Sequence, residues 1–379
     1  MWWVVVSVLG LVALLWVLLV VAIFKAVNDT RFTLTPSTTR PAETLVSVII
    51  PARNEEGSIG GAVRAVLAQD HPNLELIVVD DASEDRTRAE AEGAGGEDPR
   101  LRVVAGRPLP EGWLGKPSAV FHGRSHAKGD VLLFVDADVK IAPSAVRTCV
   151  AALEARGLDM LSLWGRWIME GFWERVAQPV VGSFIRGAHP LDKCNDPADP
   201  TVFANGQFIM IRAEAYEKFG GHEAVRDEVL EDVRFAQRAA EAGLRCGMFL
   251  APDLFEMRPY ESLGDLWSGY VKNFYHGTGR SAGKAFSAAT FVAVSTLLPA
   301  VTFAAGAALG DTTVTALSGA ILGLQIVFRF VHDGAIGLPR IYGLTHVLGN
   351  AILVGIILHS TVRGLTGRTT SWKGRAVQG

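Results

Sequence analysis

The stretch DVLLFVDADVK, residues 130–140, decides the fold. Val131 to Val135 are apolar without a break, the pattern of a strand buried on both faces rather than one with a wet side. That run then sets down two carboxylates, Asp136 and Asp138, which repel each other. On a chain that runs on extended, residues i and i+2 project to the same side. The two carboxylates are therefore expected to converge on a hard divalent cation, Mg²⁺ or Mn²⁺, which takes oxygen ligands and keeps positions open for phosphate oxygens. The strand is read as positioning an ion site.

Working outward, similar runs recur: LVSVII (45–50), LELIVVD (74–80), LRVVAG (101–106) and MLSLW (160–164). Between the first two, Ile59, Val63, Val66 and Leu67 share one face of a helix-like stretch, 58–69. Strand–helix alternation with continuous apolar strands predicts an α/β, Rossmann-like domain with a mostly parallel sheet, placed at residues 40–275. Ligands of such sheets bind beyond the carboxyl ends of the strands. There the chain has PARNEE (51–56), DDASEDRT (80–87) and DAD (136–138). Turn and cap preferences explain one polar loop. Three at the same sheet edge predict a polar ligand. No GxxxxGK[ST] motif occurs, so a bound diphosphate would be neutralised by the metal rather than by a P-loop.

The 36 basic and 39 acidic residues, a formal charge of −3, give no electrostatic footprint for nucleic acid. Three widely spaced cysteines make neither a disulfide framework nor a zinc pattern. Residues 2–24 carry no charge, longer than the roughly 20 residues that cross a bilayer. Residues 1–25 are therefore read as a retained transmembrane anchor rather than a signal peptide. Lys25 and Arg31 follow it and place the next domain on the cytoplasmic side. Residues 287–309 and 312–328 read as two further spans. Residues 341–358, which carry His346 and Asn350, are the weaker third of a membrane region at 286–360. Three crossings would leave the basic tail, 361–379, outside against its four basic residues before residue 376. Two crossings with an interfacial or re-entrant third return it inside, and that arrangement is favoured.

With these pieces in order, the chain resembles glycosyltransferase family 2, the GT-A fold of nucleotide-sugar transferases. The matching segments are VSVIIPARNEE, VVDDASEDRT, GWLGKPSAVFHG (112–123), VDADV (135–139) and EDV (231–233), across about residues 44–275. Among membrane-bound members it is similar to enzymes associated with hopanoid, carotenoid or ceramide glycosylation. The resemblance implies an inverting transfer of one sugar from a nucleotide sugar, in first place a UDP-sugar, to a lipid acceptor at the cell membrane. It assigns Pro51, Arg53 and Glu55 to the first nucleotide loop, Asp80 and Asp81 to uracil and ribose recognition, and Lys116 to donor binding. Asp136 and Asp138 become the DxD motif, contacting donor and metal. Asp232 becomes the base that takes the acceptor's proton, a role a carboxylate suits. Acid at a helix's first turn is also favourable for the helix itself.

On the acceptor side stand Glu231, Trp173 and Lys272. The segment 163–185 is read as an interfacial helix displaying Trp164, Trp167 and Trp173, and 258–277 as a second. Polymer synthases of the family usually carry QxxRW after the base. GYVKNF (269–274) is a poor match, which counts against a processive polysaccharide synthase. Two rival classes are a nucleotidyltransferase, which would want a Gly-rich basic loop after strand one, and a non-catalytic nucleotide-sugar-binding transporter or scaffold. The sequence leaves sugar, acceptor, metal preference and oligomeric state open.

Overall fold

The computed structural model describes residues 2–38, 43–367, 370–372 and 375–377. Helix α1, Trp2–Asn28, opens the chain. Residues 32–34 then dock on the soluble domain, where Leu34 N–H donates to Leu250 O and Leu250 N–H to Phe32 O, both at 2.8 Å. The first half alternates as the apolar pattern demands: β1 (Val46–Ala52), α2 (Ile59–Leu67), β2 (Leu74–Asp80), α3 (Thr87–Gly95), β3 (Leu101–Ala105), α4 (Gly115–Arg124) and β4 (Val131–Val135). Two short strands, β5 (Lys140–Ile141) and β7 (Arg166–Trp167), flank α5 (Ala145–Ala155) and β6 (Met160–Trp164). Helices α6 (Phe172–Ala188) and α7 (Leu191–Cys194) precede β8 (Phe208–Arg212), α8 (Ala213–Lys218), α9 (Glu231–Glu241), β9 (Cys246–Leu250) and β10 (Phe255–Met257). Then come α10 (Leu263–Gly277), α11 (Ala282–Val292), α12 (Leu298–Leu309), α13 (Thr312–Ala335) and α14 (His346–Leu365). Thr370–Trp372 pairs antiparallel with Arg375–Val377.

The main sheet has the order β3-β2-β1-β4-β8-β6-β9. Only β8 runs against its neighbours, so the carboxyl ends of β1, β2, β4 and β6 share one edge with the start of β8. All five residues of β4 are buried, and each branched or aromatic chain among them contributes about 1.5–3 kcal/mol. Beside this edge a small sheet, β5-β10-β7, closes the domain. The α/β prediction thus holds, with helices on both faces. The strands β8 and β9 were not anticipated.

The reading of 163–185 as one helix is corrected. Trp164 ends β6, paired with Leu250, and Trp167 lies in β7, paired with Met257; only from Phe172 is the segment helical. Two tryptophans three residues apart imitated a helical face, but edge pairing with β9 and β10 decided their backbone.

Among the described residues, four helical stretches are long and apolar enough to cross a membrane: Trp3–Asn28, Ala282–Leu309, Thr312–Ala335 and Arg340–Leu365. A π-helical turn, Ala293–Leu297, joins α11 to α12 and loosens the carbonyl ladder. Trp16 Nε1–H donates to the Ser295 carbonyl at 2.8 Å and Gln325 Nε2–H to the same oxygen at 3.2 Å. Helix α14 lies along the domain's own helices. Gly349 faces the Val176 carbonyl of α6, a Cβ on Gly355 would come within 2.8 Å of Trp267 of α10, and Gly364 abuts Tyr275. The tail residues Arg368 and Lys373 lie outside the described residues, as does the start of the predicted domain at residues 40–42.

Candidate active site

The acidic crevice forms where four elements meet at the carboxyl edge of the sheet. The chain after β4 does not run on extended: Val139 N–H donates to Asp136 O at 3.3 Å, and Asp136-Ala137-Asp138 is a turn leading into β5. The expectation of two carboxylates side by side on a continuing strand is thereby corrected. Asp136 turns inward, half-buried, while Asp138 stands exposed at the crevice mouth. The pull of β5 toward its antiparallel partner β10 supplies the reason.

Asp136 meets a residue that only the resemblance had assigned to the site. Lys116, on the first turn of α4, donates to Asp136 Oδ1 at 2.8 Å and to Glu231 Oε1 at 3.0 Å. Burial works against the charge of Lys116, but Asp136 and Glu231 outweigh it and hold the ammonium above its ordinary range. Burial pushes the Asp136 carboxyl upward despite Lys116, with Glu231 and Glu55 adding to the rise. Both partners of one ion pair move up because a single ammonium is shared among several carboxylates. The cation gains, and each acid is left short. Although Asp138 is exposed as a residue, the protein around its carboxyl withdraws water from it, and this loss, then Asp136 and Glu55, push it up to about 6.

Asp232 is held differently from its neighbour. Its Oδ2 accepts the Gly206 N–H and its Oδ1 the Val233 N–H, both at 2.8 Å, whereas Glu231 is the residue paired with Lys116. Burial and the adjacent Glu231 push the Asp232 carboxyl up to about 6. Both acids occupy the first turn of α9, where negative charge also favours the helix. The buried face of that helix is Phe235, Ala236 and Ala239.

Sequence reading missed Gly206. It precedes β8, and a Cβ there would sit 3.0 Å from Asp232 Oδ2 and 3.1 Å from Lys116 Nζ. Any larger side chain would push into the ion cluster. The signal was available in NGQF (205–208) before the apolar FIMIR, a polar turn opening a buried strand. His222 was missed as well. Burial and nearby Lys116 press its imidazole down to about 3, so it lies neutral under the crevice, with Tyr216 Oη 3.2 Å from its Nδ1. Tyr260 feels the charge of Asp138.

The first two loops are stitched to each other. Arg53 Nη1–H donates to the carbonyls of Asp81 and Ala82 at 2.8 and 2.7 Å, and the Asn54 N–H donates to Ser83 Oγ at 3.1 Å. Glu55 N–H donates to Thr87 Oγ1 at 2.6 Å, and the Glu55 carboxylate also bears on the Asp136–Asp138 turn. Asp80 Oδ1 accepts the Ser83 N–H at 3.2 Å, a turn contact, and Asp81 is buried beneath it. Pro51 and Asp136 line the same pocket as Lys116, Glu231 and Asp232. Lys272, in α10, is pulled down by burial while Glu231, Asp232 and Asp136 hold its charge. It faces the same cluster. Trp173 does not join it among the described contacts: its ring meets Phe172, which meets Tyr342 ahead of α14.

The donor set suits a hard cation. Asp136 and Asp138 offer carboxylate oxygens with a surplus of negative charge around them, and no group of three His, Cys, Asp or Glu side chains makes a closed metal cage among the described residues. An ion held there would complete its shell with phosphate oxygens or water.

A mostly parallel sheet whose strand ends gather such carboxylates is the architecture of a GT-A glycosyltransferase. Residues 47–220 match the family described as Glycosyl transferase family 2. Over 247 residues, the chain is 27% identical to the 4,4'-diaponeurosporenoate glycosyltransferase of Staphylococcus aureus (strain USA300). The alignment covers 64% of this chain and 64% of that protein, so it spans less than two thirds of its relative. The enzyme of strain MRSA252 is 26% identical over the same length. In structure the chain is similar to the mannosyltransferase PcManGT from Pyrobaculum calidifontis, solved with GDP-Man and Mn²⁺. The TM-score is 0.58 at 19% identity, over 94% of this chain and 99% of that one. That likeness establishes the shared fold.

Proposed function

We propose that this protein is a membrane-bound, metal-dependent inverting glycosyltransferase that moves one sugar from a nucleotide sugar, in first place a UDP-sugar, to a lipid acceptor on the cytoplasmic face of the cell membrane. The observation that carries the reading is the division of labour in the crevice. Lys116 ties Asp136 to Glu231, while Asp232 beside them takes no ion pair among the described residues and is held by two backbone N–H groups.

In this reading Arg53 and Asp81 frame the nucleoside loop and Asp80 braces its turn. Asp136 and Asp138, with Glu55 behind them, would hold Mg²⁺ or Mn²⁺. Bound there, the ion supplies charge neutralisation for a departing diphosphate. Asp232 accepts the proton of the acceptor hydroxyl as its oxygen bonds to the anomeric carbon. The bond from that carbon to the diphosphate breaks with its electron pair on the leaving oxygen, and one in-line displacement inverts the centre. Lys116, fixed on Asp136, stays positioned to meet the phosphate charge, and Lys272 adds a second ammonium facing the same space. The contacts of α6, α10 and α14 with one another support an acceptor that arrives from the membrane side, with α14 as the interfacial element. The relatives' carotenoid acceptor is in keeping with that approach.

Incubation of membranes carrying the full chain with several labelled UDP-sugars, followed by lipid extraction, tests the reading. Label in a discrete lipid with matching UDP release is expected, lost with EDTA and restored by Mg²⁺ or Mn²⁺. Long polymer in place of lipid would favour the synthase alternative, and no UDP release from any donor would favour a non-catalytic binding protein. Placement is tested by Gly93→Cys on intact cells: a membrane-impermeant thiol reagent should not label it, and efficient labelling would reverse the orientation.

A further inference from the structure

A second cavity, about 490 Å³, opens between the domain and the membrane-length helices and shares no lining residue with the Lys116 crevice. Its walls come from the end of α1 (Ile23, Val27), from the β6–β7 corner (Trp164, Trp167), from α6 and from the end of α13. On α6 it is lined by Pro179, Gly182 and Arg186, which at spacings of three and four residues share one helical face. The size is that of a small-ligand pocket.

Its charges do not balance. Of the ionised groups on the lining, Arg166 is paired with Asp253 at 2.7 Å, and Asp29, the lining's acid, with Arg31 at 2.7 Å. Arg186 has neither a hydrogen bond nor an ion pair among the described residues, and burial lowers its pKa. The other titratable side chain on the lining is His332, which contacts Ser183 Oγ through Nε2 at 3.1 Å and brings no negative charge to it. A half-buried guanidinium facing a cavity without a free carboxylate is costly unless an anion comes from outside the chain. A guanidinium also matches phosphate and carboxylate in a two-point fit. The other walls are aromatic and aliphatic, and α1 reaches them at the end of its apolar run.

We propose that this cavity seats the anionic head group, phosphate or carboxylate, of a membrane amphiphile, paired with Arg186 and with its apolar stem along Ile23 and Val27. The inference rests on the membrane part of the function proposed above and not on the sugar-transfer chemistry. The Trp164–Trp167 stack, with centroids 5.5 Å apart, stands in the wall as a reporter.

The test uses the full chain in phosphatidylcholine vesicles, with either phosphatidylglycerol or phosphatidylcholine brominated at the head-group end of one acyl chain. Quenching assigned to this wall is the part lost in the Trp164→Phe, Trp167→Phe double variant. The anionic lipid should reach half-quenching at a mole fraction about tenfold lower than the zwitterionic one, the discrimination one charge-assisted contact provides. Arg186→Gln should abolish the preference and Arg186→Lys should keep part of it, with unchanged thermal unfolding for both. Inorganic phosphate should not relieve the quenching. Equal quenching by both lipids, or a preference that survives Arg186→Gln, overturns the site. Full displacement by inorganic phosphate overturns the lipid and assigns the pocket to a soluble anion. A chain that fails to float with vesicles removes the membrane reading and this site together, whereas one that floats yet shows equal quenching removes the site alone.

Discussion

Two regions of this molecule bury ionic groups, and they do it in opposite ways. In the crevice, Asp136, Asp138, Glu55, Glu231 and Asp232 crowd around Lys116, with Lys272 behind, so negative charge is in surplus. In the helical region Arg329 and Asp333, 1% and 0% exposed, form a one-to-one pair at 2.6 Å. Arg329 also repairs a defect in α6. Pro179 has no N–H, which leaves the Arg175 carbonyl without its helical donor, and Arg329 Nη2–H fills the gap at 2.6 Å. The balanced pair fastens α13 to α6. The unbalanced cluster has capacity left for a cation, a phosphate or a proton, and so it is the one that can do chemistry.

If this contrast is right, substitutions in the two regions must fail in different measurements. The largest effect is expected from Asp232→Asn, which keeps the shape but cannot take a proton. Turnover should fall about 10²–10⁴-fold, roughly 3–5 kcal/mol of barrier, while donor affinity by titration and thermal stability stay near those of the parent. Asp138→Asn differs in that donor binding should weaken together with turnover, since it removes a proposed ligand of the metal. Should Asp232→Asn retain turnover while Glu231→Gln loses it, the base is the neighbouring residue.

The converse belongs to the helical region. Arg329→Met strands Asp333 and reopens the Arg175 carbonyl, so it should cost about 3–5 kcal/mol of stability, read from chemical or thermal unfolding in detergent. In a Pro179→Ala background, where α6 regains its own donor, the same substitution should cost less by about 1 kcal/mol. Strict additivity would break the account of Pro179.

Acidity offers a smaller and graded test. Asp232 carries a carboxyl raised from 3.8 to about 6, so its basic form is present above that value. The rate per unit of donor and acceptor should rise about tenfold per pH unit below 6 and level above it. The same raised value means that ionisation of Asp232 disfavours the folded state: the stability present at low pH is lost as pH rises through about 6. A rate flat from pH 5 to 8 would exclude Asp232 as the base. The mildest change is expected from Trp173→Ala. With its ring on Phe172 and away from the crevice, turnover should stay within about twofold.

The sequence by itself determined the apolar strands, the polar loops at their carboxyl ends and the membrane-length segments. These follow from local periodicity and hydropathy, which a short window contains. The DAD spacing put two carboxylates at the sheet edge beyond β4, although the backbone there turns. Tertiary structure decided the rest. Trp164 and Trp167 became strand residues because β9 and β10 lie beside them. Lys116 found Asp136 and Glu231, and Asp232 found Gly206, across gaps no local pattern encodes. Arg329 inside an apolar helix is explained by the carbonyl that Pro179 leaves free on α6. Ion pairs and repaired hydrogen bonds depend on which charges remain uncompensated once the chain has closed on itself, and burial then multiplies their effect.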